Sequence, residues 1–127
     1  MRSDAPGFVL DASALGALPR SAYAQALIRM YARLDRPIVI PAAALARAAG
    51  NGTVDAADFD PPEFTVTALN QAAAPGLAAV LGTARAPMTV EAAHAVYEAA
   101  TTGYPVVTAD TAAYDGLTVP IDLEVLP

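Results

Sequence analysis

The chain reads as an α/β protein, a three-layer α/β/α sandwich around a mainly parallel central sheet. Two observations predict this. Short, wholly apolar runs alternate with helical stretches along the 127 residues, and uninterrupted apolar runs mark strands buried on both faces. Parallel strands need helical crossovers, which puts helices on both sides of the sheet. The length suits one domain, with no internal repeat, linker or low-complexity tail.

Phe8-Val9-Leu10 is the first strand and ends in Asp11. Ser21 is placed to cap a helix reaching residue 34, with Tyr23, Leu27, Met30 and Leu34 spaced for its apolar face. Pro37-Ile38-Val39-Ile40 is a second buried strand, followed by an alanine-rich helix over 41–49 that stops at Gly50-Asn51-Gly52. Residues 51–62 are polar and acidic, end in Pro61-Pro62 and read as loop. Phe64-Thr65-Val66 is a third short strand, and 70–81 is helical apart from a break near Pro75-Gly76. Thr89 caps a helix to residue 101, closed by Gly103. Pro105-Val106-Val107-Thr108 is a strand that delivers Asp110. The last strand covers 119–125, where alternation and Pro120 suit a sheet edge.

Composition excludes several kinds of chemistry. The chain has no cysteine, so disulfide scaffolds, zinc ribbons and thiolate nucleophiles are out. All seven basic residues are arginines, which removes the lysine that P-loop hydrolysis, Schiff-base chemistry and receiver phosphotransfer require. A lone histidine, His94, leaves no HExxH pair. The net charge of −6 opposes nucleic-acid binding driven by overall charge but leaves room for a local basic stripe. Met1-Arg2-Ser3-Asp4-Ala5-Pro6 carries an acid and a proline where a secretory signal needs a basic flank and an apolar run. No apolar stretch approaches the roughly 20 residues of a membrane span, so no membrane association is expected and the expected location is the cytoplasm.

Ligands of open parallel sheets sit beyond the carboxyl ends of the strands, where the strand order reverses. Asp11 and Asp110 both belong there. Paired carboxylates are what a hard cation such as Mg²⁺ needs, and the ion could activate water at a phosphodiester. Aspartates also end strands simply because they cap the next helix or turn. Three rivals with an early aspartate fail: Ser13 stands where haloacid-dehalogenase phosphatases need a second aspartate, receivers need a lysine, and dinucleotide folds need a glycine-rich turn.

Val9-Leu10-Asp11-Ala12-Ser13-Ala14-Leu15 resembles the opening of PIN domains, especially the VapC-type toxin ribonucleases of bacterial toxin–antitoxin pairs. Ala92-Ala93-His94-Ala95-Val96 through Gly103, then Pro105-Val106-Val107-Thr108-Ala109-Asp110, is similar to that family's last helix and strand. The segment 41–47 follows an apolar strand, as the family's second motif does. The resemblance spans nearly the whole chain. It implies a PIN-like sandwich, cleavage of RNA dependent on Mg²⁺ or Mn²⁺ held by clustered acids, a small antitoxin-like partner and a homodimer.

Carried onto this chain, the metal-ligating and catalytic acids are Asp11 and Asp110, with Ser13 in support. The family's remaining two acids fall at Arg47 and Ala92. Glu91 is adjacent to the second, but one residue turns a helical side chain by about 100°. Asp115 and Glu98 are substitutes at non-matching positions. Arg47 alters the site more than Ala92, because it replaces a negative charge by a positive one. At about 6 Å and an effective dielectric near 20, a unit charge pair is worth roughly 3 kcal/mol. Arg47 is therefore expected either to turn inward onto Asp11 or Asp110 in place of a cation, or to swing into solvent.

Other features have plainer expectations. Arg29, Arg33 and Arg36, at i, i+4 and i+7, form a stripe able to contact RNA phosphates or to lie as a solvated helix face. His94 is expected to be a packed histidine rather than a catalytic one. Asp55, Asp58, Asp60 and Glu63 lack the ligand spacing of an EF-hand and read as a solvated acidic loop. The alanine-rich helices could frame a groove for an amphipathic partner helix. Two functions follow: a PIN-like protein with a depleted metal site that acts by binding a partner, or an active endoribonuclease with Asp11, Asp110 and Glu91 or Asp115 at the metal. Two missing acids favour the first. A third reading, an α/β domain unrelated to nucleases, stays open.

Overall fold

A computed structural model describes residues 5–127; the reading made of residues 1–4 lies outside the described residues. Five strands form one all-parallel sheet: β1 (Phe8–Leu10), β2 (Ile38–Pro41), β3 (Phe64–Thr67), β4 (Val106–Thr108) and β5 (Leu123–Val125), in the order β3-β2-β1-β4-β5. Among the described residues the α-helices are α1 (Ala12–Ala17), α2 (Ala22–Arg33), α3 (Ala42–Gly50), α4 (Ala74–Thr83) and α5 (Val90–Thr102). This is the expected α/β/α sandwich.

Alternation along the strands divides the core. Phe8, Leu10, Ile38, Ile40 and Val107 join one apolar cluster with α1, α2 and α3, while Val9, Val39 and Val106 join the other with α4 and α5. All of these strand side chains are buried, which is why the central strands read as continuous apolar runs rather than as alternating ones.

Helix boundaries follow their caps. Ser21 accepts from the Ala24 N–H to start α2, and Thr89 accepts from the Ala92 N–H to start α5. Gly103 closes α5 at φ 79°, a left-handed conformation that favours glycine. α2 ends without one. Asp35 takes φ 55°, and the Asp35 and Arg36 N–H groups return to the carbonyls of Ala32 and Tyr31.

Several expectations need correction. The buried face of α2 is Ala24, Leu27 and Tyr31, whereas Tyr23 and Leu34 are 38% and 51% exposed. Tyr31 packs edge-on against Phe8 with ring centroids 4.7 Å apart, and Ala24 is small enough to sit against the sheet. Pro75-Gly76 does not break a helix but lies in the first turn of α4, where proline's missing N–H has no partner to lose. The last strand is confined to 123–125, and Pro120 lies outside it. The 51–62 connection contains a 3₁₀ turn (Ala56–Phe59) that buries Phe59 against Phe64. No helix among the described residues is long and apolar enough to cross a membrane.

Candidate functional site: an acidic pocket at the strand-order switch

The strand order reverses beside β1, because β2 and β3 extend to one side and β4 and β5 to the other. The carboxyl ends of β1 and β4 therefore flank the crevice. Asp11 follows β1 directly, and Asp110 lies two residues beyond β4. A cavity of about 190 Å³ opens there, with Asp11, Ser13, Glu91, Ala92, Asp110 and Tyr114 in its lining.

Asp11 is almost wholly buried, and three donors hold it. Its Oδ1 accepts from the Ser13 hydroxyl at 2.8 Å and from the Ala14 N–H at 2.9 Å, which caps α1. Its Oδ2 accepts from the Tyr114 hydroxyl at 2.7 Å. Burial, then the charges of Asp11 and Asp110 and the bond to Asp11, push the Tyr114 phenol far above its ordinary range. It stays a donor. Ser13 also accepts from the Ala109 N–H at 2.9 Å and lies 3.1 Å from the Thr108 hydroxyl, so β1, α1 and the end of β4 are tied together.

Asp110 is exposed, and its Oδ1 accepts from the Ala112 N–H to start a 3₁₀ turn (Thr111–Tyr114). That turn carries Tyr114 back to Asp11. Both aspartates thus cap helical turns, the plain role open to them from the sequence, while also lining the cavity.

Arg47 pairs with Glu91 rather than with Asp11 or Asp110, and its side chain is 58% exposed. Burial raises the Glu91 carboxyl, but hydrogen bonds at the start of α5 and the Arg47 guanidinium outweigh it and hold it low. Glu91 and Ala92 both line the cavity because the first turn of α5 points its end at the site. Asp115 and Glu98 are not in that lining.

Other expected site residues lie elsewhere. Arg36 falls beyond the end of α2, stacks over the Tyr31 ring at 5.6 Å and donates to the Ala5 carbonyl, so the helical stripe reduces to the exposed Arg29 and Arg33. His94 is fully buried in α5; its Nδ1 accepts from the Ala43 N–H at 3.4 Å and its Nε2 lies 3.6 Å from Glu98. Asp55 caps the 3₁₀ turn of the acidic loop, and Asp58, Asp60 and Glu63 are exposed. Sequence reasoning missed Thr108 and Tyr114. The one signal for Tyr114 was its place four residues after a capping aspartate, one short turn on.

The donor set decides whether Mg²⁺ or Mn²⁺ fits. A carboxylate offers about four lone-pair positions, and three N–H or O–H donors already point at those of Asp11. Asp110 serves its own turn and Glu91 holds a guanidinium. Among the described residues no group of three or more acidic or histidine side chains is arranged to hold a metal ion. The side chains as arranged do not fit a hard cation.

Fold and site together define a parallel α/β sandwich with a hydrogen-bonded acidic pocket at its strand-order switch. The chain matches no protein-family model and no curated protein.

Proposed function

We propose that this chain is a PIN-like domain, related to toxin–antitoxin ribonucleases, whose acidic pocket has been rewired so that nuclease activity is weak or lost. It acts by binding a protein partner in the cytoplasm. The observation that carries this reading is the Arg47–Glu91 ion pair at the pocket. The family pattern loses its acids at 47 and 92; Arg47 stands at the first and pairs with Glu91, which neighbours the second and lines the pocket with Asp11.

A second cavity supports the partner role. About 350 Å³ of mostly apolar space lies between the start of α2 and the 51–64 connection, lined by Leu18, Pro19, Ile28, Val54, Phe59 and Phe64. It is walled by large side chains, not by the alanine-rich helices. Asp58 lines it too, and Asp55, Asp60 and Glu63 lie in the same connection. An apolar floor beside carboxylates suits an amphipathic segment with basic flanks. A small antitoxin-like protein has that chemistry, and a homodimer is the competing occupant.

The alternative reading, an active Mg²⁺- or Mn²⁺-dependent endoribonuclease, is favoured by one observation: Asp11, Asp110 and Glu91 do share one cavity. Expression and RNA cleavage separate the two. The rewired reading predicts no growth arrest and no cleavage with Mn²⁺ from the wild type, and divalent-ion binding gained by Arg47→Glu with Ala92→Asp. It also predicts a stable complex with a small protein that carries a basic, amphipathic segment, weakened by Ile28→Glu. Growth arrest relieved by Asp11→Asn would establish the nuclease instead.

A further inference from the structure

α3 starts without a capping side chain of its own, because Pro41 stands at its N-cap and offers no acceptor there. The first N–H groups of a helix lack intrahelical partners, and an N-cap oxygen normally takes the one at the second or third position. Here the acceptor comes from another helix. The Ala43 N–H, in the first turn of α3, donates to Nδ1 of His94 on α5 at 3.4 Å. That bond fixes the tautomer: Nδ1 accepts, so the ring is neutral with its proton on Nε2. Nε2 is buried without a hydrogen-bond partner among the described residues, and the Glu98 carboxylate lies 3.6 Å from it.

The same two helices share a second polar link. Arg47, four residues after Ala43, pairs with Glu91, three residues before His94. Those spacings keep each pair of residues on one helix face. α3 is thus tied to α5 at a buried point and at a partly exposed one.

We propose that His94 is an acid-released clamp: the neutral ring caps α3 from α5, and protonation at Nδ1 frees the start of α3 and loosens the Arg47–Glu91 pair beside the pocket. A proton on Nδ1 sets donor against donor and places a positive ring at the positive end of the α3 dipole. The charged ring is drawn instead toward Glu98, the acid beside Nε2. Few other groups can compete. α5 packs against α3, α4, β1, β2 and β4, whose one titratable side chain is Arg47, already on Glu91. Tyr114 joins the same apolar cluster as α5, with its hydroxyl on Asp11. On α5 itself the titratable neighbours are Glu91, Tyr97 and Glu98, and the Thr67 hydroxyl bonds to the last. Burial lowers the His94 pKa, so release sets in below the ordinary 6.5, while Glu91, held below 4.5, stays charged. The clamp is independent of the PIN-like reading.

NMR of the full isotope-labelled chain between about pH 7.5 and 5 tests this. At the upper end the His94 ring should carry its proton on Nε2. A first-turn N–H has no helical partner, so exchange protection at Ala43 reports the clamp itself. Protection should fall about fivefold or more on acidification, the worth of one helix cap. The Arg47 Nε–H resonance should shift with the same midpoint as the ring. His94→Asn puts an uncharged acceptor near the place of Nδ1 and should keep Ala43 protected across the range. A ring protonated on Nδ1 at the upper end, a ring still neutral at about pH 5, or an acid response of Ala43 that persists in His94→Asn overturns the proposal. If His94→Asn does not fold, the wild type decides: one midpoint shared by the ring, Ala43 and Arg47 supports the clamp, and separate midpoints contradict it.

Discussion

Asp11 spends its oxygens on the cap of α1 and on Tyr114, whereas Asp110 is exposed and caps one 3₁₀ turn. Their truncations should therefore differ. Asp11→Ala strands three donors in or near the core, and each unsatisfied group costs on the order of 1–3 kcal/mol. The expected loss is about 3 kcal/mol or more, against about 1 kcal/mol for the lost cap in Asp110→Ala. Urea unfolding of both variants measures the gap; equal losses would remove Asp11 from its structural role. His94 sets a pH dependence. Burial lowers its pKa below the ordinary 6.5, so the unfolded chain takes up a proton that the fold resists, and stability falls as pH drops below that value. Glu98, raised by burial above the usual 4.5, acts with the opposite sign and costs stability as pH rises from there. The drop in thermal midpoint between about pH 7.5 and 5.5 should be smaller in His94→Gln than in the wild type. An identical drop would place the titration elsewhere. Legibility at this scale was partial. Asp11, Ser13, Glu91 and Asp110 were readable as a group because strand ends and helix starts converge at the switch. Tyr114 was not, since its partner is distant in sequence, and Arg47 met Glu91 because α3 packs against α5.

Elements were legible where local chemistry and burial agree. The caps Ser21 and Thr89, the stop at Gly103 and the apolar strands β1, β2 and β4 all express both at once. Elements failed where only one was present or the element was short. α1 has six residues, too few to show a period; the Asp11 cap starts it, and Ala14 and Leu15 bury its inner face. β5 is shorter than its alternating pattern because pairing stops at Leu123. In α4 the glycines separate propensity from packing. Gly82 has open space around a new Cβ, whereas a Cβ on Gly76 would run into the Tyr97 ring of α5. Gly82→Ala should stabilise the fold by about 0.5–1 kcal/mol. Gly76→Ala gains the same propensity but should lose about 1–3 kcal/mol to overpacking, a net destabilisation. Denaturant midpoints of the two variants test the α4–α5 contact; a stabilising Gly76→Ala would mean that these helices lie farther apart.

At the scale of the molecule, the strand order brings three of the sequence's 13 acids, Asp11, Glu91 and Asp110, into one crevice, and each is bonded there to a partner from the chain. An all-parallel sheet with one reversal beside β1 leaves a single place where β1 and β4 end side by side. Each carboxylate of that crevice has a partner from the chain itself: Tyr114 and Ser13 for Asp11, Ala112 for Asp110, Arg47 for Glu91. The proposed basic, amphipathic partner would meet a net charge of −6 and an apolar groove with Asp58 in its lining. That the crevice is shut to cations is the central claim. Thermal unfolding of the wild type with and without millimolar Mn²⁺ tests it most directly, because an ion bound only to the fold at a hundredfold excess over Kd adds about 2.7 kcal/mol. The account predicts no change in the midpoint, as in Asp11→Asn; a rise of several degrees that vanishes in Asp11→Asn would contradict it.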